Sequence, residues 1–72
     1  MKFEVIIEKD NHGYYAFCPA MKGCHTQGES LEEVLVNIKE AAELYLETLS
    51  PEEKSYFASK EILTTTMDIG VA

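Results

Sequence analysis

The chain has 72 residues with no linker or low-complexity stretch, so a single small domain spanning residues 1–72 is expected. Its net charge of −7, from 13 acidic and 6 basic side chains, argues against direct nucleic-acid binding, because neutralising phosphates takes clustered Lys and Arg. The start, MKFEVIIEKD, carries charge on both sides of a short apolar run, which excludes a secretory leader or a membrane span there and makes the cytoplasm the expected location.

Phe3, Val5 and Ile7 alternate with Glu4, Ile6 and Glu8, the period of a strand with one face buried. Asp10, Asn11, His12 and Gly13 make a tight turn, with His12 a solvated turn residue. Residues 14–18 form a second strand that pairs with the first as a hairpin and stops at Pro19, which has no N–H for a ladder. Lys22 and Gly23 make the next turn, and residues 24–28 form a third short strand, completing an antiparallel meander.

Ser30, followed three residues later by Glu33, is a capping box: the hydroxyl accepts from the Glu33 amide while the Glu33 carboxylate reaches back. From there Leu31, Val34, Leu35, Ile38, Ala41, Ala42, Tyr45 and Leu49 recur at three- and four-residue steps, so one stripe of a long helix packs on the sheet. The opposite face carries Glu32, Glu40, Glu43 and Glu47, interrupted by Lys39 and Val36. Ser50, Pro51 and Glu53 announce a second helical start, expected to run as a short turn through Phe57. Residues 61–69 alternate again and are expected to form a final strand.

The element order is then β-β-β-α-β, an α+β layer fold: a three-stranded antiparallel meander, one long amphipathic helix, then a last strand. The sheet face away from the helix, with Ile6, Tyr14 and Ile62 as its expected apolar members, is solvated or covered by another subunit. A domain this small buries a modest core, so a homodimer or higher oligomer is expected.

The stretch YYAFCPAMKGCHTQGES holds both cysteines and one of the two histidines. In a reducing compartment a bridge between Cys18 and Cys24 is uncommon, and small thiols packed in a sheet are the default. Cys18, Cys24 and His25 make a metal set one ligand short at non-standard spacing, and neighbours Cys24 and His25 point to opposite faces of a strand. No nucleophile, base and orienting group come together on this pattern. Two-metal hydrolysis needs converging carboxylates, whereas Glu4, Glu8, Asp10 and Asp68 are scattered over strands and a turn. No cofactor, metal or catalytic residue is expected.

The run GYYAFCPAMKGCHTQGESLEEVLVNIKEAAELYLE, residues 13–47, resembles the HicB-type antitoxin family and its short stand-alone relatives. The Cys-Pro, Gly-Cys and Gln-Gly pieces before a capped helix carry that resemblance. It implies a truncated ribonuclease-H-like sheet and helix, and a partner in a small basic toxin of the HicA type, which cleaves mRNA with its own histidine. It also implies that Gly13, Pro19, Gly23, Cys24, Gly28, Ser30 and Glu33 are architectural.

Longer antitoxins of this type carry a carboxy-terminal DNA-binding domain. None is expected in the 72 residues here, which places any transcriptional role in doubt. Charge and loop position nominate Met21, Lys22, Glu32, Glu40, Glu43 and Glu47 as the surface that meets the toxin, with a Met21 tucked into the core and a Lys22 that is an ordinary turn charge as the plainer readings of those two. The alternatives are an orphan homo-oligomeric scaffold and, behind it, a small metal or thiol enzyme using Cys18, Cys24 and His25.

Overall fold

A computed structural model describes residues 2–70. The order of elements is β1 (Ile6–Asp10), β2 (Gly13–Phe17), β3 (His25–Gly28), α1 (Leu31–Glu47) and α2 (Pro51–Ser59). The three strands form one antiparallel sheet in the order β1-β2-β3. The molecule is elongated, 46 × 30 × 17 Å along its principal axes.

The first hairpin closes where the sequence expects it. Asp10 Oδ1 accepts from the His12 N–H at 2.8 Å, and Gly13 supplies a positive φ of 127° at the start of β2. Ile7 then faces Ala16, and Ala16 faces Thr26. β1 begins at Ile6, three residues later than its periodicity suggests. Continuing the register would set Glu4 against Pro19, which has no amide hydrogen to contribute. Beyond Phe17 the chain turns within a tight loop instead: the Cys18 N–H donates to the Cys24 carbonyl at 3.0 Å, and Met21 is held between them by bonds to Cys18 and Cys24. Gly23, at φ 85°, supplies the left-handed residue of this loop.

α1 lies across one face of the sheet. The Ser30 hydroxyl accepts from the Glu33 N–H at 3.1 Å, so the cap forms, but only this half of the expected box is made. The reciprocal pair is found one helix later: Ser50 Oγ accepts from the Glu53 N–H at 3.2 Å, and a Glu53 carboxylate oxygen accepts from the Ser50 N–H at 3.1 Å. Gly28 is where α1 presses hardest on the sheet. A Cβ there would stand 2.8 Å from the Val34 amide nitrogen, so any side chain would push the helix off β3.

The core is small: Ala16, Cys18, Met21, Cys24, Val34 and Ile38, with Phe3, Tyr14, Ala41, Ala42, Tyr45 and Leu46 packed around it. Each large side chain buried this way contributes about 1.5–3 kcal/mol. Two expectations on facing are corrected. Tyr14 lies on the helix side, in phase with Ala16, and it is Tyr15 and Phe17 that occupy the open face beside His25. Leu31 and Leu35, expected in the buried stripe of the helix, are about half exposed.

The largest departure lies at the end of the chain. α2 runs as nine residues, not as a turn through Phe57, and buries none of them; its contact with α1 includes an edge-on packing of Phe57 against Tyr45 at 5.9 Å. Residues 61–69 form no strand, and the sheet stops at three. Their alternation is real, but strand structure is stabilised by pairing with a neighbour and not by pattern alone, and no neighbour is in register with them.

Candidate functional site

The exposed side of α1 concentrates negative charge. At about 100° per residue, Glu32, Glu40, Glu43 and Glu47 fall within roughly one quadrant of the helix surface. All four are exposed, with Val36 between them. Among the described residues no lysine lies within ion-pairing distance of these carboxylates, and the last turn of α1 carries no basic side chain. Unpaired and solvated, they project a field outward and stabilise little in the fold.

The loop candidates separate. Lys22 is exposed at the tip between β2 and β3, whereas Met21 is wholly buried in the core and out of reach of any partner. A charge-and-loop argument cannot see this, because the hydrogen bonds that tuck Met21 inward are made by the backbone of the loop. Pro19 ends β2, and Cys24 is buried across from Cys18.

Two further surfaces stand out. On the uncovered sheet face, the Tyr15 ring lies 5.8 Å from both Phe17 and His25. Between α1 and the residues that lead into β1, Phe3, Val5, Leu35, Ile38, Ala42 and Leu46 line an apolar groove of about 420 Å³, with Lys39 and Glu43 on its rim. The signal for the first was the parity of β2, once Ala16 is placed in the core. No local signal announces the second, since its two walls, residues 3–5 and α1, are far apart in the sequence. A wider open depression of about 820 Å³ at the first hairpin is edged by Glu8, Asp10, Glu29 and Glu33.

Cys18 and Cys24 are both free and buried. Burial, followed by the proximity of Cys24, pushes the Cys18 thiol up to about 11, so it is protonated and weakly nucleophilic at neutral pH. His25 projects from the opposite face of the sheet, next to Tyr15. The thiol-and-imidazole set is thus split by the sheet. Among the described residues no three His, Cys, Asp or Glu side chains are grouped to hold a metal ion, and Glu4, Glu8, Asp10 and Asp68 do not converge.

What remains on the surface is equipment for binding: a charged helix face, an aromatic sheet face and an apolar groove. The sequence profile of the HicB-like antitoxin of bacterial toxin–antitoxin systems matches residues 3–69. The chain belongs to the HicB-like antitoxin family. Among its relatives, a UPF0150 protein of Helicobacter pylori is 46% identical over 72 residues, covering the whole of both chains. A UPF0150 protein of Synechocystis is 51% identical over 53 residues, 72% of this chain and 67% of the relative. One of Thermoplasma acidophilum is 54% identical over 50 residues, 68% and 72% of the two chains. No solved structure matches the chain significantly. Membership gives this HicB-like chain an antitoxin role in general terms, which is a role of binding, and a toxin partner of some kind. Among the described residues, no helix is long and apolar enough to cross a membrane.

Proposed function

We propose that the chain neutralises a small basic toxin of the HicA type by covering the surface with which that toxin meets and cleaves RNA. The observation that carries this reading is the stripe of Glu32, Glu40, Glu43 and Glu47, four exposed and unpaired carboxylates on a chain of net charge −7 within an antitoxin family. A surface that binds RNA is basic, and an acidic helix face is complementary to it. Occlusion requires no chemistry from the antitoxin: the partner's cationic groups are held by carboxylates in place of phosphates. Lys22, exposed at the loop tip, would lie at the edge of such a contact. In this reading the chain is non-enzymatic, acts in the cytoplasm, touches no nucleic acid itself, and uses a truncated ribonuclease-H-like sheet and helix as its scaffold.

The test begins with the tagged chain purified from its own cells at low salt, where a small basic protein should be retained and its RNA cleavage suppressed by added antitoxin. Association should slow as salt rises, because rim charges act mainly on the encounter rate. In the triple variant Glu40→Lys, Glu43→Lys, Glu47→Lys, the low-salt association rate should fall by about tenfold or more. An unchanged rate in that variant would remove α1 from the binding surface.

A further inference from the structure

The chain carries two unsatisfied features of matching kind. One is the apolar groove between α1 and residues 3–5, which lead into β1, the edge strand of the sheet. Its wall residues Val5 and Leu35 are 39% and 45% exposed, and among the described residues no strand pairs with the outer side of β1. The other is the segment 62–69, ILTTTMDI. Leu63, Met67 and Ile69 are 84%, 72% and 77% exposed, on the same side of a strand-like alternation, with three consecutive threonines that favour extended backbone. Exposed apolar residues that recur at strand spacing beside an open sheet edge are an unfinished pairing, not scattered surface hydrophobes.

We propose that residues 62–69 of one copy pair along the β1 edge of a second copy and fill its groove, with the exchange made reciprocally in a symmetric dimer. Eight extended residues span about 26 Å, enough to run along the five residues of β1 and past residues 3–5 that lead into it. The sides agree too. Phe3, Val5 and Ile7 share the helix side of β1 with Ala16, so a neighbouring strand there would set its own alternate residues, Leu63, Thr65, Met67 and Ile69, against Leu35, Ile38, Ala42 and Leu46 of the helix.

In the single copy the segment leaves the chain's own groove unfilled. Residues 58–62 rest beside Lys2, Phe3 and Glu4, at the near end of that groove, yet from Leu63 onward the side chains stand in solvent and the groove stays open. Two copies related by a twofold axis would each supply what the other lacks, and the contact would close on itself without exposing a further edge. The family match runs to residue 69, so the segment belongs to the domain.

The inference concerns the chain alone and is tested without a toxin. Sedimentation equilibrium of the full chain should give a dimer. In Leu63→Asp, Met67→Asp, Ile69→Asp, whose sites are solvent-exposed in the single copy, self-association should weaken by at least about tenfold. The circular dichroism of the sheet and α1 should persist in that variant. Isotope-filtered NMR on a mixed sample, one copy labelled and the other not, should show contacts from the Leu63 and Met67 side chains of one copy to Val5 and Leu35 of the other. A full chain that stays monomeric, contacts confined to one copy, or a triple variant that dimerises as well as the parent would each overturn the proposal.

Discussion

The sheet with α1 and the stretch beyond Thr48 begin from sequence patterns of equal clarity, yet they end in different physical states. In the first, each element meets another: β2 is paired on both sides, and α1 presses Val34 and Ile38 onto Ala16 and the two cysteines. In the second, α2 has the better cap of the two helices and buries nothing, and an alternating segment follows it with its leucine, methionine and isoleucine in water. Good local signals produce a local element; only a complementary surface at long range makes it part of a body.

The comparison can be broken most directly in the core. Ile38→Ala should cost about 2–5 kcal/mol. That is a large share of the stability of so small a domain, and the loss should appear as a lowered midpoint in chemical denaturation. Leu63→Ala, measured at dilutions where the chain is monomeric, should move the same midpoint by no more than about 0.5 kcal/mol. A comparable loss at both sites would mean that residues 61–69 pack on the body after all.

A pH titration separates the regions by a different route. The Cys18 thiol is raised from an ordinary value near 9.0 to about 11 in the folded chain. Between these values the unfolded chain releases its proton while the folded chain keeps it. Stability contributed by this thiol is therefore intact below pH 9 and falls as pH rises toward 11. Denaturation midpoints measured across that window should decline, and the part of the decline due to Cys18 should vanish in Cys18→Ala. A decline of the same size in both proteins would assign it to other groups.

The smallest effect is expected at the cap of α2. Ser50→Ala removes one member of the reciprocal box and should destabilise that helix by about 1 kcal/mol. Because α2 buries no residue, the cost should register as faster amide exchange over Pro51–Ser59, with the global midpoint unchanged. A shift in the global midpoint would show that α2 is coupled to the core more tightly than its contact through Tyr45 and Phe57 suggests.

Much of the body was legible in advance because the signals that build it are short-range. The turn at Asp10–Gly13, the stop at Pro19, the cap at Ser30 and the opposed faces of Cys24 and His25 depend on bonds or alternation within a few residues. The acidic quadrant of α1 was legible for the same reason, since helical spacing alone gathers its four carboxylates. For Met21 the sequence leaves loop tip and core both open, because a turn of mixed composition can point a side chain inward or outward with equal local cost. Its direction is settled by backbone bonds to Cys18 and Cys24 across the turn. The facing of Tyr14 differs from expectation because two adjacent tyrosines fit either face of a strand until a third residue, Ala16, is committed to the core.

By itself, then, the sequence determined which stretches form a hairpin meander and a capped amphipathic helix, where carboxylates collect, and that the cysteines and His25 do not share a face. Each of these follows from covalent spacing and hydrogen bonds between near neighbours. The tertiary structure decided that Met21 is core, that Tyr15 and not Tyr14 faces outward, that an apolar groove opens between residues 3–5 and α1, and that among the described residues the last alternating segment has no strand to pair with. Those outcomes depend on which distant surfaces come into contact, and the free energy of a strand or an apolar side chain is realised only against the partner that removes it from water.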